Sequence, residues 1–487
     1  MSDIAFLAGI LLLFAGVEVH AVHAPELKEP QKQFPKAMFL AALISFGLFT
    51  LGSLAVAVIT PYDQINLQSG LFTTFDIVFK HYRVGWLTNV MSLLIAFGVG
   101  TAVGVTSLIS RRLGQGRQDE ADSAATHGIL LSLCTYVLFA LYGAFFTTPF
   151  FRMFESDPEI VQMGDTYISI CCIFSFGLFV EISLEKILQA TGNMIWPMIF
   201  QLVGAVSNII LDPILIFGMF GMPAMGVAGA AIATVGGQII AMIFSIVVVV
   251  LREHAVRITF RGFRPHWRTV RDIYTVGLPA IVMQSIGTVM TMALNGILSA
   301  FSTAAYTVFG LYFKLQSFVF MPVFGLTQGL MPIMGYNYGA RNKKRLLSAL
   351  KQGCVIALII MTLGLLVFLL FPAQLLGIFN ASRELLEIGV PALRIIASCF
   401  LFAALGIVSS TLFQAVGRGV YSLIVSLMRQ LVVLVPAAWV LARITGEVNA
   451  VWWAFPIAEV FSLIASIFLF LRLYRKEIRV LETARER

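Results

Sequence analysis

Long runs of apolar residues, broken by short polar loops, dominate the pattern along this chain. They lie at about 4 to 22, 36 to 60, 84 to 109, 126 to 151, 166 to 189, 196 to 218, 225 to 251, 274 to 300, 306 to 335, 351 to 377, 388 to 413, 419 to 443 and 450 to 473. Each is long enough to cross a hydrocarbon core of roughly 30 Å. The runs are apolar all round, without alternation of period two, and Gly and Pro fall inside them. That suits helices whose backbone groups are satisfied internally, not the strands of a barrel. The pattern predicts an all-α polytopic membrane protein of about thirteen spans.

Charge sharpens this into a topology. Arg111, Arg112 and Arg117, the stretch Arg252 to Arg271, Arg341 to Arg345, Arg418, and the tail from Arg475 all follow alternate spans, so these loops are expected on the cytoplasmic side. Loops such as Glu155-Ser-Asp157-Pro-Glu159 are acidic or neutral and belong outside, and the odd count of spans puts the N-terminus outside too. The net charge of +8 is therefore membrane topology and not a nucleic-acid footprint. Apolar residues make up 59% of the 487 and charged residues 12%, with a mean hydropathy of +0.91, values far from those of a soluble domain. Cys134, Cys171, Cys172, Cys354 and Cys399 all fall within spans, without metal-ligand spacing, and read as small apolar residues. There is no cleavable signal with a basic leading region, so the spans direct insertion.

Sliding the sequence by 225 residues brings Gly100 onto Gly325, Gly104 onto Gly329, Gly114 onto Gly339, Gly128 onto Gly353, Gly164 onto Gly389 and Gly192 onto Gly417. Gln189-Ala190 meets Gln414-Ala415 at the same offset, without gaps. The chain thus contains two homologous lobes. The offset covers an even number of helices, so the lobes are parallel repeats with a cavity expected between them. The match begins at about Leu93; the opening helix of the second lobe has no counterpart of like pattern in the first.

Candidate chemistry sits where ionisable residues interrupt apolar runs, because charge in hydrocarbon is costly and marks function by default. Asn208-Ile-Ile-Leu-Asp212-Pro213 is the centre of this. On a helix Asn208 and Asp212 share a face, which predicts an amide to carboxylate hydrogen bond, and Pro213 frees the carbonyl of Ile209. Glu181 and Glu185 stand one turn apart, with Lys186 beside them. They either bind a cation or form a structural Glu185–Lys186 pair that snorkels at a helix end. Arg429 lies deep in a span and needs a counter-charge, for which Glu459 is the expected partner. No Walker-type phosphate loop and no nucleophile-base constellation occurs, so neither ATP nor an enzymatic reaction is expected, and no cofactor.

From about Leu93 onward the chain resembles the multidrug and toxic compound extrusion (MATE) transporters. The resemblance is carried by Ile95-Ala-Phe-Gly-Val-Gly100, Ser110-Arg-Arg-Leu-Gly114, Leu188-Gln-Ala-Thr-Gly-Asn193, Asn208 to Pro213, Gly226-Val-Ala-Gly-Ala230, Thr327-Gln-Gly329 and Gly335-Tyr-Asn-Tyr-Gly-Ala-Arg341. Residues 5 to about 92 are similar instead to amino-acid antiporters of the amino acid, polyamine and organocation superfamily, the glutamate/γ-aminobutyrate exchangers in particular. Phe14-Ala-Gly-Val-Glu18-Val-His20-Ala-Val-His23-Ala-Pro-Glu26-Leu-Lys28-Glu-Pro30 and Pro35-Lys-Ala-Met38 carry that likeness. The division that follows is an antiporter-like fragment at 1–92, a first lobe lacking its first helix at 93–251, a cytoplasmic linker at 252–273, a second lobe at 274–474 and a tail at 475–487.

The MATE resemblance implies two six-helix bundles and export of cationic or amphiphilic drugs in exchange for protons or sodium ions, by a monomer in the bacterial inner membrane. It places Asp212, Asn208 and Thr234 in the cation-coupling site, with sodium accommodated at Asp212. The acids of some sodium-coupled members are absent from the second lobe, where Gln284 and Asn295 stand on one helix and Arg394 on another. Glu181, Glu185, Gln284, Asn295 and Glu459 are the residues expected to contact substrate. Two further expectations stand beside this one: amino-acid exchange, and an inert chimeric membrane protein.

Overall fold

The computed structural model describes residues 87–154, 158–379 and 381–481. The spans expected at 4 to 22 and 36 to 60, most of the antiporter-like fragment, residues 155–157 of the acidic loop, and the tail beyond 481 lie outside the described residues. The described chain is helical throughout: α1 (Leu87–Gly114), α2 (Gln118–Phe145), α3 (Thr147–Phe154), α4 (Pro158–Ile173), α5 (Phe176–Ala190), α6 (Ile195–Phe217), α7 (Gly226–Leu251), α8 (Trp267–Ser299) and α9 (Thr303–Gly339) come first. Then follow α10 (Lys343–Leu370), α11 (Pro372–Gly377), α12 (Arg383–Ala397), α13 (Phe400–Ala415), α14 (Gly419–Leu427), α15 (Leu434–Thr445), α16 (Val448–Val451) and α17 (Ala454–Leu473). Nine helices are long and apolar enough to span a membrane, and the bent pairs α4–α5 and α12–α13 bring the number to eleven among the described residues. The eleven spans expected from residue 84 onward fall on them one for one.

Side chains at the helix starts satisfy part of the free backbone N–H groups. Ser302 accepts from Ala305 N at 3.1 Å and Asn342 from Arg345 N at 3.1 Å. Left-handed glycines, Gly218 at φ 73° and Gly446 at φ 63°, close the ends of α6 and α15. The sequence pattern starts α2, α8 and α10 too late, because it sees only their apolar stretches. The polar first turns of α2 project beyond the apolar zone and are held by the linker, with Gln118 Nε2 donating to Ala255 O at 2.6 Å and Arg257 N to the Asp122 carboxylate at 2.9 Å. The early turns of α8 are tied down by Asp272, which takes Arg112 at 3.3 Å.

The 225-residue repeat is visible in the backbone. α2 and α10, and α4 and α12, begin at positions related by that offset, and both broken spans bend by similar angles, 45° and 49°. Gly192 and Gly417 take the same left-handed φ, 85° and 84°. The clearest sign is reciprocal: a Cβ on Gly114 would collide with the carbonyl oxygen of Tyr336, and a Cβ on Gly339 with that of Arg111. Arg111 and Tyr336 are themselves repeat mates, so α1 and α9 cross on a local two-fold axis where each helix's glycine admits the other's backbone.

α1 and α9 form the centre of the molecule, with 78% and 56% of their most apolar windows buried, against 11–28% for the other unbroken spans. The outer helices keep apolar faces such as Val250, Leu251, Ile464 and Phe468 exposed, as a lipid-facing surface requires. The second lobe packs around one continuous apolar core, whereas the first lobe's buried residues divide into several smaller clusters. The candidate site lies in the first lobe, with Phe200 of one of these clusters in its wall.

Replacing Gly114 or Gly339 by Ala is expected to destabilise the protein by about 1–3 kcal/mol through overpacking against backbone that cannot move aside. Gly116 has open space around it, and its replacement costs only the left-handed strain. Thermal unfolding in detergent checks this; equal melting temperatures for wild type and Gly114→Ala would show that the crossing is not tight.

Candidate cation site

α6 and α7 approach closely because their facing positions are small. A Cβ on Gly237 would stand 2.8 Å from Gly204 O and 3.2 Å from Asn208 N. Small residues at that crossing bring the helices together and leave room beside it for longer side chains from α5. The result is a cavity of about 250 Å³ inside the first lobe, lined by Glu181 from α5, Gln201 and Asn208 from α6, and Thr234 and Gln238 from α7. Phe200, Ala205 and Ala241 supply apolar wall.

The polar groups in this cavity are incompletely paired. Glu181 is 8% exposed and its Oε1 has no hydrogen-bond partner, and neither has Asn208 Nδ2. Thr234 donates to its own helix, to Ala230 O at 2.9 Å, and keeps an acceptor lone pair free. A buried carboxylate without a counter-charge is relieved by taking up a proton or another cation. Of the residues expected to act together, Glu181, Asn208 and Thr234 share the cavity. Asp212 does not line it; it lies half-buried one turn beyond Asn208 on α6. Asn208 and Asp212 interact side chain to side chain, as expected, although the Asn208 amide nitrogen makes no hydrogen bond of regular geometry; Tyr167 of α4 stands beside both Thr234 and Asp212.

Glu185 belongs to a different, fully satisfied group. Its oxygens accept from Gln189 Nε2 at 2.7 Å and Gln201 Nε2 at 3.1 Å, and Lys186 Nζ stands 3.2 Å away. The expected ion pair is therefore present, but buried and not snorkelling, with Lys186 only 5% exposed. Lys186 also donates to Gln189 at 2.8 Å and, across the lobe boundary, to Gln328 of α9 at 2.9 Å. Burial is tolerated because every donor of the ammonium has a partner.

The second lobe fills the equivalent space. Arg429, the repeat mate of Gly204, sits in a π-helical turn over Met428–Val432, and its Nε lies 3.9 Å from Glu459, the mate of Thr234. The position of Glu181 is taken by Gly406. An internal ion pair thus occupies what the first lobe leaves open, although Glu459 Oε2 itself stays unpaired. Gln284 is exposed and Asn295 half-buried on α8, eleven residues or about 16 Å apart. The structure brings neither to the first-lobe cavity. Among the described residues no group of His, Cys, Asp and Glu is disposed to hold a metal ion.

Gln201, Gln238 and Tyr167 were not picked out by sequence reasoning. Gln201 precedes Asn208 by seven residues, and Gln238 follows Thr234 by four, so helical spacing puts each pair on one face. Polar residues at that spacing inside apolar runs were the available signal.

The MatE family profile matches residues 84–214 and 279–440, more than half of the chain. The chain belongs to the MatE family. An amino acid permease profile matches residues 1–116, overlapping the MatE match at its start. Among curated relatives, the multidrug export protein MepA of Staphylococcus haemolyticus is 26% identical over 400 residues, covering 80% of this chain and 87% of its own length. The probable multidrug resistance protein NorM of Thermotoga maritima is 26% identical over 389 residues, covering 78% and 83%. A transporter of the MOP superfamily from Pyrococcus furiosus superposes with a TM-score of 0.79 at 24% identity, covering 97% of this chain and 96% of that one, which speaks to the fold alone. A crystal structure of a MATE protein in complex with MaD3S gives 0.78 at 26% identity, covering 90% and 94%. The MatE chain is a multi-pass membrane protein, as its apolar spans require.

In this MatE protein, Lys186→Met leaves the Glu185 carboxylate buried without its ammonium and is expected to cost about 3–5 kcal/mol. The double variant Glu185→Gln/Lys186→Met is expected to recover most of that loss. A double-mutant cycle on melting temperature in detergent reads the coupling; additive effects would mean that the pair is not a unit.

Proposed function

We propose that the protein is a secondary-active exporter of cationic or amphiphilic drugs, in which the two lobes rock about a central cavity and protons or sodium ions drive the cycle. The observation that carries this reading is the unpaired Glu181 carboxylate in a first-lobe cavity that also presents an unpaired Asn208 amide and the Thr234 hydroxyl. An acid in that setting binds a cation or a proton, and not both. Exchange of one for the other is the minimum that an antiporter requires.

The roles divide by environment. Asp212, Asn208 and Thr234 form the coupling site, where a proton or sodium ion alters the relative stability of the outward-open and inward-open states. Glu181 meets the substrate cation in the cavity that Asn208 and Thr234 also line, and Lys186 holds Glu185 as a tethered cation beside it. Gln284 and Asn295 supply polar contacts on α8, and Glu459 is held by Arg429. The names of the relatives MepA and NorM, which speak of multidrug export and multidrug resistance, support the substrate class. The domain division follows the same reading, with the junction between the antiporter-like fragment 1–92 and the first lobe inside the overlap of the two family matches.

A second reading, an inert chimeric membrane protein, draws on the meeting of two different family matches within one chain. Amino-acid exchange draws only on the amino acid permease match at 1–116.

In everted vesicles, a pH gradient is expected to drive uptake of a cationic dye by the wild type. Asp212→Asn is expected to abolish its dependence on the gradient, and Glu181→Gln to weaken dye binding by about tenfold or more, the loss of one ionic contact of roughly 1.5–3 kcal/mol. Intact dye/H⁺ exchange in Asp212→Asn would remove the coupling assignment. Absence of any dye movement by a correctly inserted wild type would favour the inert reading, and uptake of labelled glutamate would favour the exchanger.

A further inference from the structure

A second cavity, of about 650 Å³, opens at the end of the molecule where the basic loops gather. Its walls come from both lobes: Gly114 and Arg117 at the end of α1, Gly339 and Arg341 at the end of α9, and Lys476 and Glu477 after α17. The Gly114–Gly339 crossing is part of its lining, so a molecule in this space touches both lobes at once.

The charges that face it among the described residues are unbalanced. The one carboxylate among the described lining residues is already engaged: Glu477 takes Arg418 on Oε1 at 2.6 Å and the Tyr338 hydroxyl on Oε2 at 2.8 Å. Arg117 shares its guanidinium with Glu120 at 3.2 Å. No carboxylate among the described residues pairs with Arg341 or Lys476.

Arg341 is also in an unfavourable backbone conformation. Its φ is 55°, the one non-glycine residue in the left-handed region among the described residues. Its repeat mate in the first lobe is Gly116, at φ 72° with open space around it. The turn is therefore built for glycine, and the second lobe places a guanidinium there at the expense of local strain.

We propose that this cavity binds a phosphate-bearing anion, which bridges the lobes across the α1–α9 crossing. A phosphate offers two or three oxygens to the Arg341 and Arg117 guanidinium forks and a charge to the Lys476 ammonium, the geometry in which Arg is the preferred partner. The volume exceeds that of a single phosphate and accommodates a headgroup. An anion held between Arg117 of one lobe and Arg341 and Lys476 of the other adds to the stability of the conformation in which this end of the seam is closed. The assignment stands apart from the first-lobe cation site, and neither depends on the other.

The test uses the full chain, purified in detergent at fixed ionic strength, with melting temperature read as phosphatidylglycerol or phosphatidylcholine is titrated into the micelles and, separately, as inorganic phosphate is added with chloride as the control. A saturable rise with phosphatidylglycerol alone assigns the anion to a lipid headgroup. A rise with inorganic phosphate as well assigns it to a free phosphate compound. In either case the rise is expected to shrink by half or more in Arg341→Gly and to vanish in Arg117→Gln/Arg341→Gly/Lys476→Gln. Without anion, Arg341→Gly is expected to melt above the wild type, because glycine relieves the left-handed strain, so loss of the response is not confused with misfolding. No response to either anion, or a response that persists undiminished in the triple variant, overturns the proposal.

Discussion

Everything in this molecule hangs on the crossing of α1 and α9, where two glycines related by the repeat each let the other helix's backbone in. Within a membrane no hydrophobic force draws helices together, so close backbone approach is among the few sources of specific contact. The crossing is reinforced on the first-lobe side by Ser107 Oγ, which donates to Gln414 O at 2.5 Å, and by Gly335, which makes room for the Ser110 hydroxyl. These contacts lie at one end of α1 and α9, towards Gly114 and Gly339.

The repeat explains the fold, but the departures from it explain the chemistry. Symmetry alone would give both lobes the same interior. Instead Gly204 and Thr234 in the first lobe stand where Arg429 and Glu459 stand in the second, and Glu181 stands where Gly406 does. The second lobe closes its interior with an ion pair 3.9 Å apart and a continuous apolar core. The first lobe keeps a cavity with a carboxylate oxygen that nothing satisfies. A buried polar group without a partner is a cost; the second lobe carries one too, at Glu459 Oε2, so it is the cavity beside Glu181 that sets the first lobe apart.

Much of this was legible in the residues. Span order, the 225-residue offset and the Arg429–Glu459 pair follow from apolar run length, glycine spacing and the need of a buried cation for an anion. Helix starts were not, because the first turns of α2 and α10 are polar and look like loop until the linker contacts that hold Gln118 and Asp122 are seen. The site was half legible. Spacing put Asn208 and Asp212 on one face, which was right as geometry, but which of two neighbouring side chains enters a cavity depends on Gly204 and Gly237 across the helix crossing. No single-helix argument contains that. Lys186 was expected at a helix end in contact with water, and only the position of Gln328 on another lobe shows why it is buried.

That last contact ties the two halves of the argument together. Lys186 is covalently next to Glu185 and hydrogen-bonded to Gln328 of the opposite lobe at 2.9 Å. Thr106 of α1 donates to the Lys186 carbonyl at 3.0 Å, so the same residue is held by the central helix through its backbone. Glu185, which pairs with this lysine, also accepts from Gln201 of the cavity wall, so one lysine is shared between a carboxylate beside the site and an amide on the other lobe.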